Sequence, residues 1–346
     1  MGTISDYIAW RGDLEFWQDG FNVIDNLVLS CISYVEMDDI FSDYGQQVID
    51  IKDINRLYFE KIFDQKKFRD GSILKDAPLT LKAIANTNRY KNIKIRNYVS
   101  KIDLDRTLQF AAMEFLLPDG TSYIAYRGTD DTIVGWKEDF MLATSEVEAE
   151  KEAVEYLNRV ALDNDRMIRV GGHSKGGHLA VYAGAKCDKS IKARILNIYS
   201  NDGPGFMKKT VSSKYMQEIV PKIVSIIPEE SVVGLLMYAA TNPIVVKSNA
   251  FSLGQHNLAT WQIIGKKLVT TKKVSATAEL IDQTIKENIS KMSGDEIDGF
   301  VSDLFSLFEA TGAVTLTEFK TGGLKGLSAI SKRLGELSMK GFPGKK

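Results

Sequence analysis

Met167-Ile-Arg-Val-Gly-Gly-His-Ser-Lys-Gly-Gly-His178 is the stretch that decides the fold. Met167 to Val170 read as a short strand and Ala180 to Ala185 as a small-residue helix. Gly172-His173-Ser174-Lys175-Gly176 therefore falls on the turn between them as a G-x-S-x-G pattern. Such a turn exposes the serine at the strand's carboxyl end in a strained conformation, and the flanking glycines relieve the crowding. Ser174 then precedes a helix N-terminus. The helix dipole and the Lys175 N–H both favour negative charge developing beside it.

The pattern repeats outward from that turn. Upstream, Leu108 to Leu116, a Pro118-Asp119-Gly120 turn and Thr121 to Tyr126 predict a β-hairpin. Ala153, Val154, Leu157, Val160 and Ala161 predict a helix over 147–162. Downstream, Arg194 to Tyr199 and Lys222 to Ile227 read as strands, with Gly205 to Ile219 helical between them. Strand alternating with helix predicts an α/β fold, a mainly parallel sheet covered on both faces. The region before about residue 105 reads as mostly helical, with Ile24, Leu27, Val28, Cys31 and Ile32 at helical spacing. After about 270 the pattern is helical alone: Ile281, Ile285, Ile289 and Met292 share a face, and Ser293 to Glu296 forms a capping box. Two units are expected, 1–270 around the sheet and 271–346 as a helical appendage ending in a Gly-rich basic tail.

Composition removes several classes of function. The 346 residues carry 44 Lys+Arg against 45 Asp+Glu, so no global field draws in a nucleic acid or an anionic membrane, and any such attraction is local. Two cysteines, Cys31 and Cys187, make no disulfide framework and fit a reducing compartment. The first twenty residues, with Asp6, Arg11, Asp13, Glu15 and Asp19, lack the order of a signal peptide. Ser231 to Val246 is too short for a spanning helix and contains Asn242 and Pro243. A cytoplasmic location is the expectation.

A serine needs a base, and the chain has three histidines, His173, His178 and His256. His173 adjoins Ser174 and points away from it at a tight turn. His178 sits on the helix beyond, where a packed or solvent-facing role is natural. His256 lies in a loop after the last strand, and the order serine then histidine fits the α/β-hydrolase arrangement. For the acid, Asp202 follows strand 194–199 directly, while Glu229 and Glu230 follow strand 222–227. Asp202 is favoured because a Gly-Pro-Gly turn holds its short side chain; the alternative is that it caps a helix near Gly205. Thr129 in Tyr126-Arg-Gly-Thr129 and Lys175 are the candidate oxyanion donors through their backbone N–H groups. The Lys175 side chain is expected to face solvent rather than bind an anionic head group.

Tyr126-Arg-Gly-Thr129, Trp136, Asp139 and Gly172-His-Ser-Lys-Gly-Gly177 together resemble the class 3 lipases of the α/β-hydrolase fold. Asp6 to Asp13, Asp202-Gly-Pro-Gly-Phe206 and Gln255-His256 resemble, more closely, a family of bacterial lipase-like proteins catalogued as a domain of unknown function. The resemblance implies Ser174 as nucleophile, His256 as base, and Thr129 with Lys175 as oxyanion donors. Two departures stand out. Class 3 lipases carry an apolar residue where Lys175 stands, and their acid follows the strand matching 222–227, where this chain reads Glu229-Glu230.

These readings lead to a serine hydrolase of carboxylic esters, with acyl lipids as the substrate class. A non-catalytic interaction protein on the same fold, and a thioesterase or peptidase with the same triad, are the alternatives. No cofactor, metal or nucleic acid is expected. The partner is a small-molecule or lipid ester, any membrane contact would be peripheral and local, at Lys175 or the tail at Lys325 to Lys346, and the oligomeric state is open. Val232 to Val246 reads equally as a lid or as core.

Overall fold

The computed structural model describes residues 1–44, 47–64, 71–103, 108–129 and 147–289. Eight strands form one sheet in chain order: β1 (Ile49–Asp50), β2 (Lys94–Asp103), β3 (Leu108–Leu116), β4 (Ser122–Tyr126), β5 (Ile168–His173), β6 (Ile195–Asn201), β7 (Ile223–Pro228) and β8 (Ile244–Val246). Pairs from β1 to β4 are antiparallel, and from β4 to β8 every pair is parallel. This is the mainly parallel sheet of the α/β-hydrolase class.

The strands are apolar because both faces are covered. In β4, Tyr123 and Ala125 enter one core, and Ile124 and Tyr126 the other. The first core is closed by helices α1 (Ile4–Arg11), α2 (Val23–Ile32), α4 (Ile51–Lys61) and α5 (Ile73–Ile84), with α3 (Asp38–Tyr44) contributing Ile40 and Phe41. The second is closed by α6 (Glu148–Leu162) and α7 (Lys175–Lys186).

Buried polar groups join the elements. Asp25 and Arg89 are fully buried: Arg89 donates to both Asp25 oxygens, at 2.7 Å from Nε and 2.5 Å from a terminal nitrogen, and Tyr90 adds a bond of 2.6 Å. The guanidinium also reaches the carbonyls of Asp19 and Gly20. That cluster ties α2 to the segment after α5. Glu114 on β3 is likewise satisfied, by Arg96, Asn97 and Ser122.

Several expectations are corrected. Residues 94–103 form a full strand inside the region read as helical, with a register shift between Arg96 and Val99 where Asn97 takes φ 54; the bulge breaks the alternation that would have marked it. Residues 205–219 hold two one-turn helices, Lys208–Val211 and Lys214–Gln217, because Ser213 caps the second and interrupts the first. In 232–246, Val233, Leu236, Met237 and Val246 are buried and β8 pairs with β7, while Asn242 and Ile244 are exposed. Ala276–Ile289 is a helix, and the rest of 271–346 beyond it lies outside the described residues. Trp136, Asp139, the capping box at 293–296 and the basic tail lie outside the described residues. Among the described residues, no helix is long and apolar enough to cross a membrane.

Candidate active site

Ser174 sits between β5 and α7 with φ 57 and ψ −131. A left-handed backbone at a non-glycine residue costs on the order of 1–3 kcal/mol and persists only where its surroundings over-determine it. Glycines allow those surroundings to close in. A Cβ on Gly172 would strike the backbone of Gly176 and Tyr126, and one on Gly176 would run into the Tyr126 carbonyl. The Ser174 N–H donates to the Asn201 carbonyl at 2.9 Å. The Asn201 side chain donates to Gly172 O at 2.9 Å, and the amides of Asn201 and Asn26 exchange bonds of 2.9 and 3.1 Å. The turn is thus held by β6 and by α2.

His256 and Asp202 come together. His256 ends a short 3₁₀ turn, Ser252–His256, and its Nδ1 lies 2.7 Å from Asp202 Oδ2. Asp202 follows β6 at φ 50, its N–H donating to Ile226 O at 2.7 Å. Its Oδ1 accepts from Ser231 Oγ at 2.5 Å and from Gly234 N at 3.1 Å. The carboxylate is fully buried, and its three bonds come from two segments, the loop of Ser231 and Gly234 and the turn that carries His256. This is the arrangement that keeps a buried charge tolerable.

Glu230 does not reach the imidazole. Its Oε2 accepts from Ser252 N at 2.5 Å and from Gln255 Nε2 at 2.9 Å, while Gln255 Oε1 accepts from Glu230 N. It anchors the turn that carries His256. Glu229 joins through its backbone, N–H to Val246 O and carbonyl to Ser275 N.

His173 turns its ring toward the His256 loop. Nε2 lies 2.7 Å from the His256 carbonyl, and Nδ1 lies 2.8 Å from the Tyr34 hydroxyl. A carbonyl only accepts, so Nε2 carries the proton and Nδ1 accepts from Tyr34. Burial pushes the His173 pKa well below 6.5, and the neighbouring His256 adds to that effect. The ring is neutral.

Gly128 passes directly over the turn: a Cβ there would meet the Tyr34 hydroxyl, the His173 carbonyl and, at 3.1 Å, the Ser174 Cβ. Thr129 follows it and is buried. Lys175 is buried too, contrary to its expected solvent-facing position, because the first turn of α7 abuts the backbone of Tyr126 and Arg127. His178 is packed, of the two roles expected: it is fully buried and stacks on Phe206 at 4.2 Å. Ser231, Gly234, Tyr34, Asn26 and Asn201 went unread in the sequence. Tyr34 and Asn26 come from distant elements, while Asn201, Ser231 and Gly234 act through bonds that bring separate strand ends together, so no local spacing marks their roles.

Residues 84–306 match a family model described as Mbeg1-like, more than half of the chain, and that stretch contains Ser174, Asp202 and His256. The chain belongs to the Mbeg1-like family. No curated protein matches this Mbeg1-like chain. Among solved structures, it is similar to a Rhizomucor miehei lipase in a propeptide complex, at 16% identity and TM-score 0.39, over 65% of this chain and 67% of that one. It is also similar to a mutant form of MDLA from Penicillium cyclopium, at 12% identity and TM-score 0.39, over 72% and 84%. A third neighbour is a fungal lipase in an inhibitor complex, at 15% identity and TM-score 0.37, over 64% and 76%. At this distance no residue role passes from those structures to the Mbeg1-like chain.

Proposed function

We propose that the protein hydrolyses carboxylic esters, with acyl lipids as the substrate class, through Ser174, His256 and Asp202. The observation that carries this reading is the 2.7 Å contact between His256 Nδ1 and Asp202 Oδ2, in a chain whose Ser174 is held at φ 57 on the turn between β5 and α7. Ser174 Oγ attacks the ester carbonyl and its proton passes to His256 Nε2. Buried Asp202 holds the ring in the tautomer that leaves Nε2 as the base and stabilises the imidazolium that forms. The N–H groups of Lys175 and Thr129 take the charge on the carbonyl oxygen. The alcohol leaves with the proton from His256, and water then attacks the acyl-enzyme by the reverse route.

Cys31 and Cys187 are free and buried, which fits a reducing compartment. Peripheral contact with anionic lipid through Lys325 to Lys346, outside the described residues, belongs to the same proposal: a chain ending at residue 320 should lose liposome cosedimentation. Equal cosedimentation removes that role.

The test of the activity is a panel of p-nitrophenyl esters from acetyl to palmitoyl. Turnover that rises with chain length, and that drops at least about 1,000-fold in Ser174→Ala, supports the reading. Turnover of the acetyl ester alone removes acyl lipids as the substrate, and equal turnover by Ser174→Ala removes the triad.

A further inference from the structure

The chain holds a second buried acid–histidine pair that the proposed reaction does not use. His178, on the second turn of α7, sets Nε2 2.9 Å from Glu150 Oε1. Its Nδ1 lies 3.2 Å from both the Pro204 and the Gly205 carbonyl oxygens. Glu150 opens α6, where its other oxygen accepts from Val147 N at 3.1 Å. Among the described residues the ring faces three acceptors, and since a carbonyl only accepts, Nδ1 is the donor to Pro204 and Gly205.

The two carbonyls on Nδ1 belong to Asp202-Gly203-Pro204-Gly205, the turn that carries the acid. That turn is demanding. Asp202 stands at φ 50, and a Cβ on Gly203 would strike His178 N and the Ser174 carbonyl, so the turn lies directly on the first turn of α7. Its outer side is bonded to the segment 234–238, through Gly205 N to Leu236 O and the paired Phe206 and Tyr238 backbones. On the inner side, the imidazole is the donor that reaches the buried Pro204 and Gly205 carbonyls among the described residues.

We propose that His178, keyed by Glu150, is a positioning residue for the catalytic acid: by donating from Nδ1 it fixes the 202–205 turn on α7 and thereby aims Asp202 at His256. This rests on the triad reading above. A stack on Phe206 alone would make His178 a filler; the donor at Nδ1 makes it a positioning group.

Two substitutions separate those roles in the full-length chain. His178→Asn places an amide nitrogen where Nδ1 stands and keeps the donor to Pro204 and Gly205, while giving up Glu150. His178→Gln places its amide where Nε2 stands, keeps Glu150 and gives up the turn. The readouts are kcat and KM on a p-nitrophenyl ester, thermal midpoint, and the low-field Nδ1 proton resonance of His256. His178→Asn should keep kcat within a few-fold and retain the resonance. His178→Gln should lose on the order of 10- to 100-fold in kcat with KM within twofold, and should broaden or lose the resonance, at a comparable thermal midpoint. Equal kcat and equal resonance in the two variants, whether high or low, overturns the proposal alone. A wild-type chain with no turnover and no Ser174 labelling overturns the hydrolase reading, and this proposal with it.

Discussion

At the scale of single residues, the decisive choice is between Asp202 and Glu230. Asp202 Oδ2 bonds the imidazole while Oδ1 is held by Ser231 and Gly234; Glu230 spends its carboxylate on Ser252 N and Gln255. Asp202→Asn should therefore lower kcat by about 10⁴-fold, the size expected when an orienting carboxylate becomes an amide that favours the wrong tautomer. Glu230→Gln keeps acceptors for both partners and should stay within about fivefold of wild type. Ester hydrolysis at neutral pH distinguishes them, and a full-rate Asp202→Asn would return the acid role to the glutamates. Ser174, His256 and Asp202 were legible because each follows a strand in an order the chain displays. Ser231, Tyr34 and His178 were not legible as supports, because what they do depends on which distant carbonyl or carboxylate the fold brings to them.

Elements are where the sequence was both most and least informative. β5, β6 and β7 showed themselves as apolar runs bounded by Gly, Asn and Pro, whereas β2 hid its alternation behind the bulge at Asn97. The serine turn was legible as chemistry, but the reason for its second glycine is a contact with β4: Gly176 abuts the Tyr126 backbone. Gly176→Ala should push α7 off β4 and destabilise the chain by about 1–3 kcal/mol, with a matching fall in activity; an unchanged urea midpoint would show that the turn has slack. Between α2 and the segment after α5, Arg89→Ala leaves the buried Asp25 carboxylate without its cation and should cost about 3–5 kcal/mol. Urea unfolding measures this, and a loss below about 1 kcal/mol would mean that Asp25 finds other support.

Across the whole molecule, the N-terminal helices belong to the site as much as the sheet does. The family match begins at residue 84, yet Tyr34 donates to His173 Nδ1 and Asn26 bonds Asn201 beneath the serine turn. A chain starting at residue 84 would leave Arg89 without Asp25 and expose one face of the sheet, so it should not yield a soluble folded protein. Soluble chain with a cooperative melt would contradict that. His173 sets a second property. Its pKa is depressed in the fold from about 6.5, so below that pH the unfolded chain binds a proton that the folded one refuses, and stability falls as pH falls. The His173 contribution is thus present above pH 6.5 and lost progressively below it. His173→Asn should flatten the thermal midpoint between pH 7 and pH 5 relative to wild type; an identical slope would assign the loss to other groups.

The central claim is that Ser174 is a nucleophile activated by His256. Labelling by a serine-directed fluorophosphonate, with the adduct mapped by mass spectrometry, tests it most directly. The account predicts one adduct on Ser174 in wild type, none in Ser174→Ala, and a rate of labelling reduced at least about 1,000-fold in His256→Ala. Equal labelling of all three proteins would contradict it.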